Sequence, residues 1–363
     1  MILSRLSILN FKNIAQADLS FSPGLNCFLG NNGMGKTNLL EALYYLSFCK
    51  GFIPLPDSQN IRHGEEFFML QGFYLCEDVT EEIYCGVKFR QKKVFKRNKK
   101  EYGRLADHIG LIPLVMISPA DAGLIQGGSE ERRRFLDMVI SQFDKAYLDK
   151  LMRYNKALMQ RNSLLKQGVV EPSAYEIWEE QMWLAAGDIY AARSRFLAEF
   201  IPVFQEFYTV ISGGNEKVGL AYVSHVAQGD LRTLLAEVRQ RDLLLGYTSR
   251  GVHKDELEMS LEGYQMKRIG SQGQNKTFLI ALKLAQFDYL NRNGHTTPLL
   301  LLDDVFDKLD AQRMERIISL VSQERFGQIF VTDTNREYLD AIVRRTGGNY
   351  RLFQVENGCF TDL

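Results

Sequence analysis

Residues Gly30 to Thr37 read GNNGMGKT, which fits G-x-x-x-x-G-K-[ST] with Gly30, Gly35, Lys36 and Thr37 in register. The chemistry this spacing serves is the holding of a polyphosphate. Glycines allow backbone N–H groups to converge on phosphate oxygens, so Gly30, Asn31, Asn32, Gly33, Met34 and Gly35 are the expected cradle, and the start of the following helix adds its positive end. Lys36 is then placed to reach the β and γ phosphates of ATP, and Thr37 to offer its hydroxyl to Mg²⁺. Such a site also needs a carboxylate at the end of a neighbouring strand. Leu299-Leu300-Leu301-Leu302-Asp303-Asp304 supplies four apolar residues, as a strand buried on both faces requires, and then two carboxylates. Asp303 is the expected Mg²⁺ ligand beside Thr37. Asp304, one step on and pointing the other way, is the candidate to orient or deprotonate an attacking water, which makes Asp304 and Lys36 the expected catalytic pair.

These residues must be positioned by regular elements, and the hydrophobic pattern supplies them. Leu3 to Asn10 alternates, Leu25 to Leu29 is a short apolar run leading into the glycine loop, and Leu39, Leu40, Leu43 and Leu46 recur at helical spacing after it. Residues 65–100 read as a β-meander. Ser129 is an expected helix cap, with Glu130 and Glu131 in the first turn and one long apolar stripe from Phe135 to Leu165. Gly168 to Pro172 interrupts it, and a second helical stretch runs from Trp178 to Phe204, ending at Ser212-Gly213-Gly214-Asn215. Leu257 to Leu261 and Gln265 to Arg268 read as strands around Glu262-Gly263, before a last strand, helix, strand set. The order predicts an α/β head made of residues 1–121 and 209–363, a mixed sheet with helices plus an antiparallel β lobe, interrupted by a helical-hairpin arm at 122–208.

Composition narrows the setting. The 363 residues carry 44 Lys plus Arg and 44 Asp plus Glu, so net charge neither requires nor excludes a polyanionic partner. Five cysteines without metal-ligand or C-x-x-C spacing suit a reducing compartment, and no apolar run approaches the ~20 residues that span a bilayer. The opening MILSRLSILNF meets charge too early for a signal peptide, so the cytoplasm is the expected location. One local concentration of charge stands out: Lys88, Arg90, Lys92, Lys93, Lys96, Arg97, Lys99, Lys100 and Arg104 against Glu101, with Phe89, Phe95 and Tyr102 interleaved. Lys92, Lys93, Lys96, Arg97, Lys99 and Lys100 are therefore candidate contacts to DNA phosphates, although a solvated hairpin gives the same pattern. Arg132 to Arg134 suits DNA contact or ion pairing with Glu130 and Glu131. His253 reads as structural, and Trp178 and Trp183 as packing residues.

A third segment, Gly270-Ser271-Gln272-Gly273-Gln274 before an apolar helix, falls where ATP-binding-cassette proteins carry their signature, and Leu309-Asp310 resembles their D-loop. That resemblance implies dimerisation around two ATP molecules, with Ser271, Gly273, Gln274 and Asp310 of one copy completing the site of the other. LSILNFKNI, FSPGLN, TNLLEALYYL, SPADAGLIQGGSEERRRFLD, YNKALMQRNSLLK, GVHKDELEMSLEG, SQGQNKT and LLLLDDVFDKLD together resemble the RecF family of DNA-repair ATPases, relatives of the SMC proteins. The likeness spans nearly the whole chain, and it departs at Gly251-Val252-His253-Lys254, where the family tends to Gly-Pro-His-Arg, and at Cys49 to Phe52. It implies an ABC-type head with a short arm, weak DNA-stimulated ATP turnover, an ATP-dependent homodimer on double-stranded DNA beside single-stranded gaps, and work with RecR and RecO in loading RecA. Asp333, where transporter cassettes carry a switch histidine, implies slow turnover. A transporter's ATP-binding subunit would share the loop, signature and carboxylates but would supply that histidine and lack the arm. A GTP switch would need N-K-x-D, and Asn98-Lys99-Lys100-Glu101 has the wrong acid.

Overall fold

The computed structural model describes residues 1–76, 79–307, 309–346 and 349–363. The chain begins with β1 (Ile2–Phe11), β2 (Ile14–Ser20), β3 (Leu25–Leu29), α1 (Lys36–Phe48), β4 (Phe67–Cys76), β5 (Val79–Lys88), β6 (Val94–Arg97), β7 (Lys100–Glu101) and β8 (Leu114–Ile117). It continues through α2 (Ala122–Gln126), α3 (Ser129–Ser141), α4 (Lys145–Lys166), α5 (Ser173–Ser212), β9 (Val218–Val223), α6 (Leu231–Leu245), β10 (Glu256–Leu261), β11 (Tyr264–Gln265) and α7 (Met266–Ile269). It ends with α8 (Gln272–Asn293), β12 (Leu299–Asp303), α9 (Ala311–Val321), β13 (Ile329–Asp333), α10 (Arg336–Thr346), β14 (Tyr350–Glu356) and β15 (Cys359–Asp362).

Two compact units result, one comprising Met1–Asp121, Val210–Ser212 and Gln272–Leu363, the other Ala122–Thr209 and Gly213–Ser271. In the first, an antiparallel sheet runs β2-β1-β4-β5-β6-β7 and a mixed sheet runs β15-β14-β3-β13-β12-β8. In the mixed sheet β14, β3, β13, β12 and β8 run parallel to one another, and β15 alone is antiparallel, paired with β14. A register shift between Leu3 and Arg5 lets Leu3 and Leu6, three positions apart, both lie fully buried. Helix α1 packs against strands of both sheets, so Leu39, Leu40, Leu43 and Leu46 are each 0% exposed. The loop ahead of α1 thus leads directly into a buried helix.

In the second unit β11-β10-β9 form a three-stranded sheet, with α3 and α7 against β10 and α6 against α4. The β10–β11 turn places Glu262 and Gly263 at φ 50° and 81°, the left-handed pair that a tight hairpin needs. Its interior holds aromatic and apolar residues of α5, among them Met182, Ile189, Phe196, Phe200 and Phe204, all buried.

Several local expectations are corrected. Ser129 is the first helical residue and Gly128 the cap position, without a side-chain hydrogen bond. The expected single stripe from Phe135 to Leu165 is two helices, because Asp144 caps a new one by accepting from the Tyr147 N–H at 2.8 Å. The strand expected over Gln265 to Arg268 lasts through Gln265, and Met266–Ile269 turns as a short helix. Helix α6, anchored by Leu231 and Leu235, was not anticipated; it is capped by Asp230, which accepts from the N–H groups of Arg232 and Thr233. By contacts, Gly213–Ser271 group with the helices and Val210–Ser212 with the sheets.

Candidate nucleotide site

Strands β3, β13 and β12 are neighbours and parallel, so their C-terminal ends fall along one edge of the sheet. That edge is where open α/β sheets collect ligands. The chain leaves β3 at Leu29, passes through Gly30–Gly35 and enters α1 at Lys36. Gly33 and Gly35 have φ of 80° and 111°, conformations that a Cβ would strain. A cleft of about 100 Å³ opens there, lined by Asn32, Gly33, Gly35, Lys36, Thr37, Asn38 and Asp304.

Within it, the Thr37 hydroxyl donates to Asp303 Oδ1 at 3.0 Å, and the Thr332 hydroxyl donates to the same oxygen at 2.7 Å. Asp303 is 3% exposed, and burial lifts its pKa above the ordinary value against the opposing effect of the Thr332 and Thr37 hydrogen bonds. A desolvated carboxylate next to a threonine hydroxyl is a hard-oxygen pair that a cation would stabilise. Among the described residues no group of three or more His, Cys, Asp or Glu is placed to hold a metal, so a cation here would take its remaining ligands from phosphate and water. Lys36 is buried, and its Nζ donates to the carbonyls of Gly30 at 2.8 Å and Asn31 at 3.1 Å. Asp304 adopts φ 47°, uncommon for a non-glycine residue, and its N–H donates to both the carbonyl and the hydroxyl oxygen of Thr332. Asp333, 5% exposed, accepts from the Asn335 N–H at 2.7 Å, and burial raises its pKa, with Asp304 adding to the rise.

Thus Gly30 to Thr37, Asp303 and Asp304 come together. The other expected residues lie elsewhere: Ser271 is exposed just before α8, Gly273 and Gln274 are in its first turn, and Asp310 caps α9 by accepting from the Arg313 N–H at 2.9 Å. Arg313 connects these two segments, donating from Nη1 to Thr277 Oγ1 at 3.0 Å while its Nε lies 3.3 Å from Asp310. Motif spacing did not point to Thr332, which lies beside Asp333, nor to Asn13 and Asn38, which sit inside LSILNFKNI and TNLLEALYYL without a role read for them.

The basic hairpin divides. Lys92, Lys99 and Lys100 are exposed, and Asn98 and Lys99 form a tight turn at φ 50° and 67°. Lys93 instead turns inward, 2.9 Å from Asp57 and donating to the Cys49 carbonyl at 2.6 Å, and Arg97 makes a two-pronged pair with Glu81 at 2.6 and 2.8 Å. Lys96 lies over the Tyr84 ring. Arg132 likewise pairs with Glu256, and Arg133 donates to the Asp255 carbonyl. His253 is half-buried, with Nδ1 2.7 Å from the Tyr154 hydroxyl, and Trp183 lies beneath Arg232 and donates to Asp230.

A model of the AAA ATPase domain matches residues 1–108. The DNA replication and repair protein RecF of Bacteroides fragilis is 60% identical over 365 aligned residues, covering 100% of this chain and 99% of that protein. A solved structure described as the recombination mediator protein RecF-ATP in the RecFOR pathway is 29% identical, with a TM-score of 0.89 over 100% of this chain and 97% of that one. The Smc head domain of Pyrococcus furiosus, solved with an extended coiled coil and bound to the C-terminal domain of ScpA, is 15% identical with a TM-score of 0.59, covering 100% and 96% of the two chains. That last likeness speaks to fold alone, and the fold is that of an ABC-type ATPase head.

Proposed function

The chain belongs to the RecF family of DNA replication and repair proteins, and from that premise we propose that it is an ATP-dependent DNA-binding protein of recombinational repair. The observation that carries the ATP reading is the 3.0 Å bond between Thr37 and Asp303, which joins the first turn of α1 to the end of β12 at the mouth of the glycine loop. Mg²⁺, when bound, would neutralise charge on the phosphates, and Thr37 and Asp303 are the residues that would hold it. Lys36, now on the carbonyls of Gly30 and Asn31, is the positive charge available to the β and γ phosphates. Asp304, held by Thr332, orients a water or takes its proton. A carboxylate rather than a histidine at Asp333 favours slow turnover.

Ser271, Gly273, Gln274 and Asp310 are assigned to the site of a second copy, because a hydroxyl and an unobstructed N–H at a helix start make a further anion cradle. Two ATP molecules would then latch two copies together on double-stranded DNA beside a single-stranded gap, in the cytoplasm, where RecO and RecR act with the dimer to load RecA. Hydrolysis releases the latch. Within this reading residues 1–121 and 209–363 act as the head and 122–208 as its arm, and of the basic hairpin Lys92, Lys99 and Lys100 are the exposed charges best suited to phosphates, with Lys96 beside them.

Light scattering of the wild type, Lys36→Arg and Ser271→Arg, each with ATP and with gapped duplex DNA, tests the reading. Dimer formation by the wild type alone is the expected result. A wild type that binds ATP and stays monomeric on DNA would overturn the two-copy latch; one that fails to bind ATP would overturn the nucleotide reading itself.

A further inference from the structure

The glycine loop is gripped by two turns that lie far from it in the chain. From one side comes the β1–β2 turn: Asn13 Oδ1 accepts from Asn38 Nδ2 at 2.7 Å, and Asn13 Nδ2 lies 3.5 Å from the Gly33 carbonyl to which it donates. Its neighbour Lys12 pairs with Glu41, one turn further along α1. From the other side comes the β14–β15 turn, where the Gly358 N–H donates to the Met34 carbonyl at 2.8 Å and the Asn357 N–H lies 3.4 Å from Met34 Sδ. The approaches are close enough to dictate residue type. A Cβ on Gly35 would stand 2.8 Å from Asn13 Oδ1, and one on Gly30 would stand 2.4 Å from the Val355 carbonyl oxygen. Gly358 has φ 79°, and a Cβ there would meet the Asn13 carbonyl oxygen at 2.5 Å, so the two turns all but touch over the loop.

What this grip accomplishes follows from peptide geometry. In a trans peptide the C=O and the next N–H point in opposite directions, so fixing the Met34 carbonyl toward Gly358 turns the Gly35 N–H the other way. Fixing the Gly33 carbonyl toward Asn13 does the same for the Met34 N–H, which closes the loop on the Asn31 carbonyl at 3.4 Å. We infer that Asn13 and Gly358 are positioning residues, a collar that sets the peptide planes of the phosphate loop before nucleotide arrives. The inference rests on the reading of this loop as an ATP site. The collar acts through Gly33 and Met34, and its effect is on affinity: a loop ordered during folding need not be ordered on binding.

Binding of a fluorescent ATP analogue with Mg²⁺ to the full chain tests this, using wild type, Asn13→Ala, Gly358→Ala and Lys36→Ala. Asn13→Ala is expected to weaken binding about fivefold, the worth of one hydrogen bond. Turnover at saturating ATP should stay within about twofold, because interactions removed equally from ground and transition states change KM alone. Hydrogen exchange of nucleotide-free protein should quicken over residues 31–37 and stay unchanged over 39–48. Gly358→Ala should weaken binding about tenfold or more, since its Cβ meets backbone, and if that variant does not fold, Asn13→Ala decides. Wild-type affinity and exchange in Asn13→Ala would overturn the collar, as would weaker affinity accompanied by faster exchange throughout the unit. No binding by the wild type would instead overturn the ATP reading, a failure distinguishable from the collar's.

Discussion

Two buried aspartates, one in each unit, meet the same physical problem in opposite ways. Asp303 and Asp255 are 3% and 1% exposed, and burial raises the pKa of both. Around Asp255 the chain supplies cationic compensation: Arg193 donates from Nη1 at 2.8 Å, Tyr222 adds its hydroxyl, and Arg193 also pairs with Asp137 at 2.7 Å. Arg161, fully buried, likewise holds Glu179 and Asp242 at 3.0 and 2.7 Å. Asp303 has two threonine hydroxyls and, among the described residues, no ion pair. The second unit thus turns its charges on itself, which holds its helices in place, while the first leaves a carboxylate short of positive charge at the mouth of a cleft. A carboxylate paired with a buried cation is a structural device; one held by hydroxyls alone at a strand edge is a place for a ligand.

The largest expected effect that would break this contrast is on stability. Arg193→Met leaves Asp255 and Asp137 without their cation, and urea unfolding should show a loss of about 3–5 kcal/mol. Asp303→Asn should change stability by no more than about 1 kcal/mol while removing the dependence of ATP affinity on Mg²⁺. Equal destabilisation by the two substitutions would show Asp303 to be as structural as Asp255.

A second test uses pH. His253 is half-buried, and its Nε2–H donates to the Thr248 carbonyl at 3.0 Å, leaving Nδ1 to accept from the Tyr154 hydroxyl. Burial drives its pKa down from the ordinary 6.5 to about 3. Between those values the unfolded chain binds a proton that the folded chain does not, so stability contributed by neutral His253 is complete above 6.5 and falls as pH drops toward 3. The expected slope is about 1.4 kcal/mol per pH unit in acid unfolding, and His253→Gln should lack that component. Asp303, with its pKa raised, contributes with the opposite sign: the folded state holds its proton more tightly, so stability rises as pH falls through the raised value toward the ordinary 3.8.

The basic hairpin contains the same contrast on a smaller scale. Lys93→Ala should cost about 1–3 kcal/mol, because the partly buried Asp57 and the Cys49 carbonyl lose their donor. Lys92→Glu with Lys99→Glu and Lys100→Glu should leave stability within about 0.5 kcal/mol, since all three are exposed. If the hairpin binds duplex DNA, the triple variant should also lower the salt slope of DNA affinity by about one for each phosphate no longer neutralised. An unchanged slope would leave the hairpin a solvated edge.

Much of the candidate site was legible before the structure because its signals are local. The glycine loop, the strand before it and the helix after it are contiguous, and the four leucines before Asp303 are buried on both faces of the sheet as their run implied. The two-residue turn at Glu262-Gly263 and the long α5 stretch ending at Gly213 were readable for the same reason. The two-helix reality between Ser129 and Lys166 was not, because one apolar stripe suits either, and a single capping aspartate decided the break.

By itself, then, the sequence determined the glycine loop with its flanking strand and helix and the residues that can bear phosphate chemistry, since these depend on near neighbours in the chain. Only the tertiary structure decided what those residues face. It set β13 between β3 and β12, so that Thr332 holds both Asp303 and the backbone of Asp304. It brought Asn13 and Gly358 together over Met34, and it gave Lys93 and Arg97 their acids from other strands and loops. The physical reason is that a polar side chain settles on whichever partner folding delivers within hydrogen-bonding distance, and a one-dimensional pattern carries no such distance.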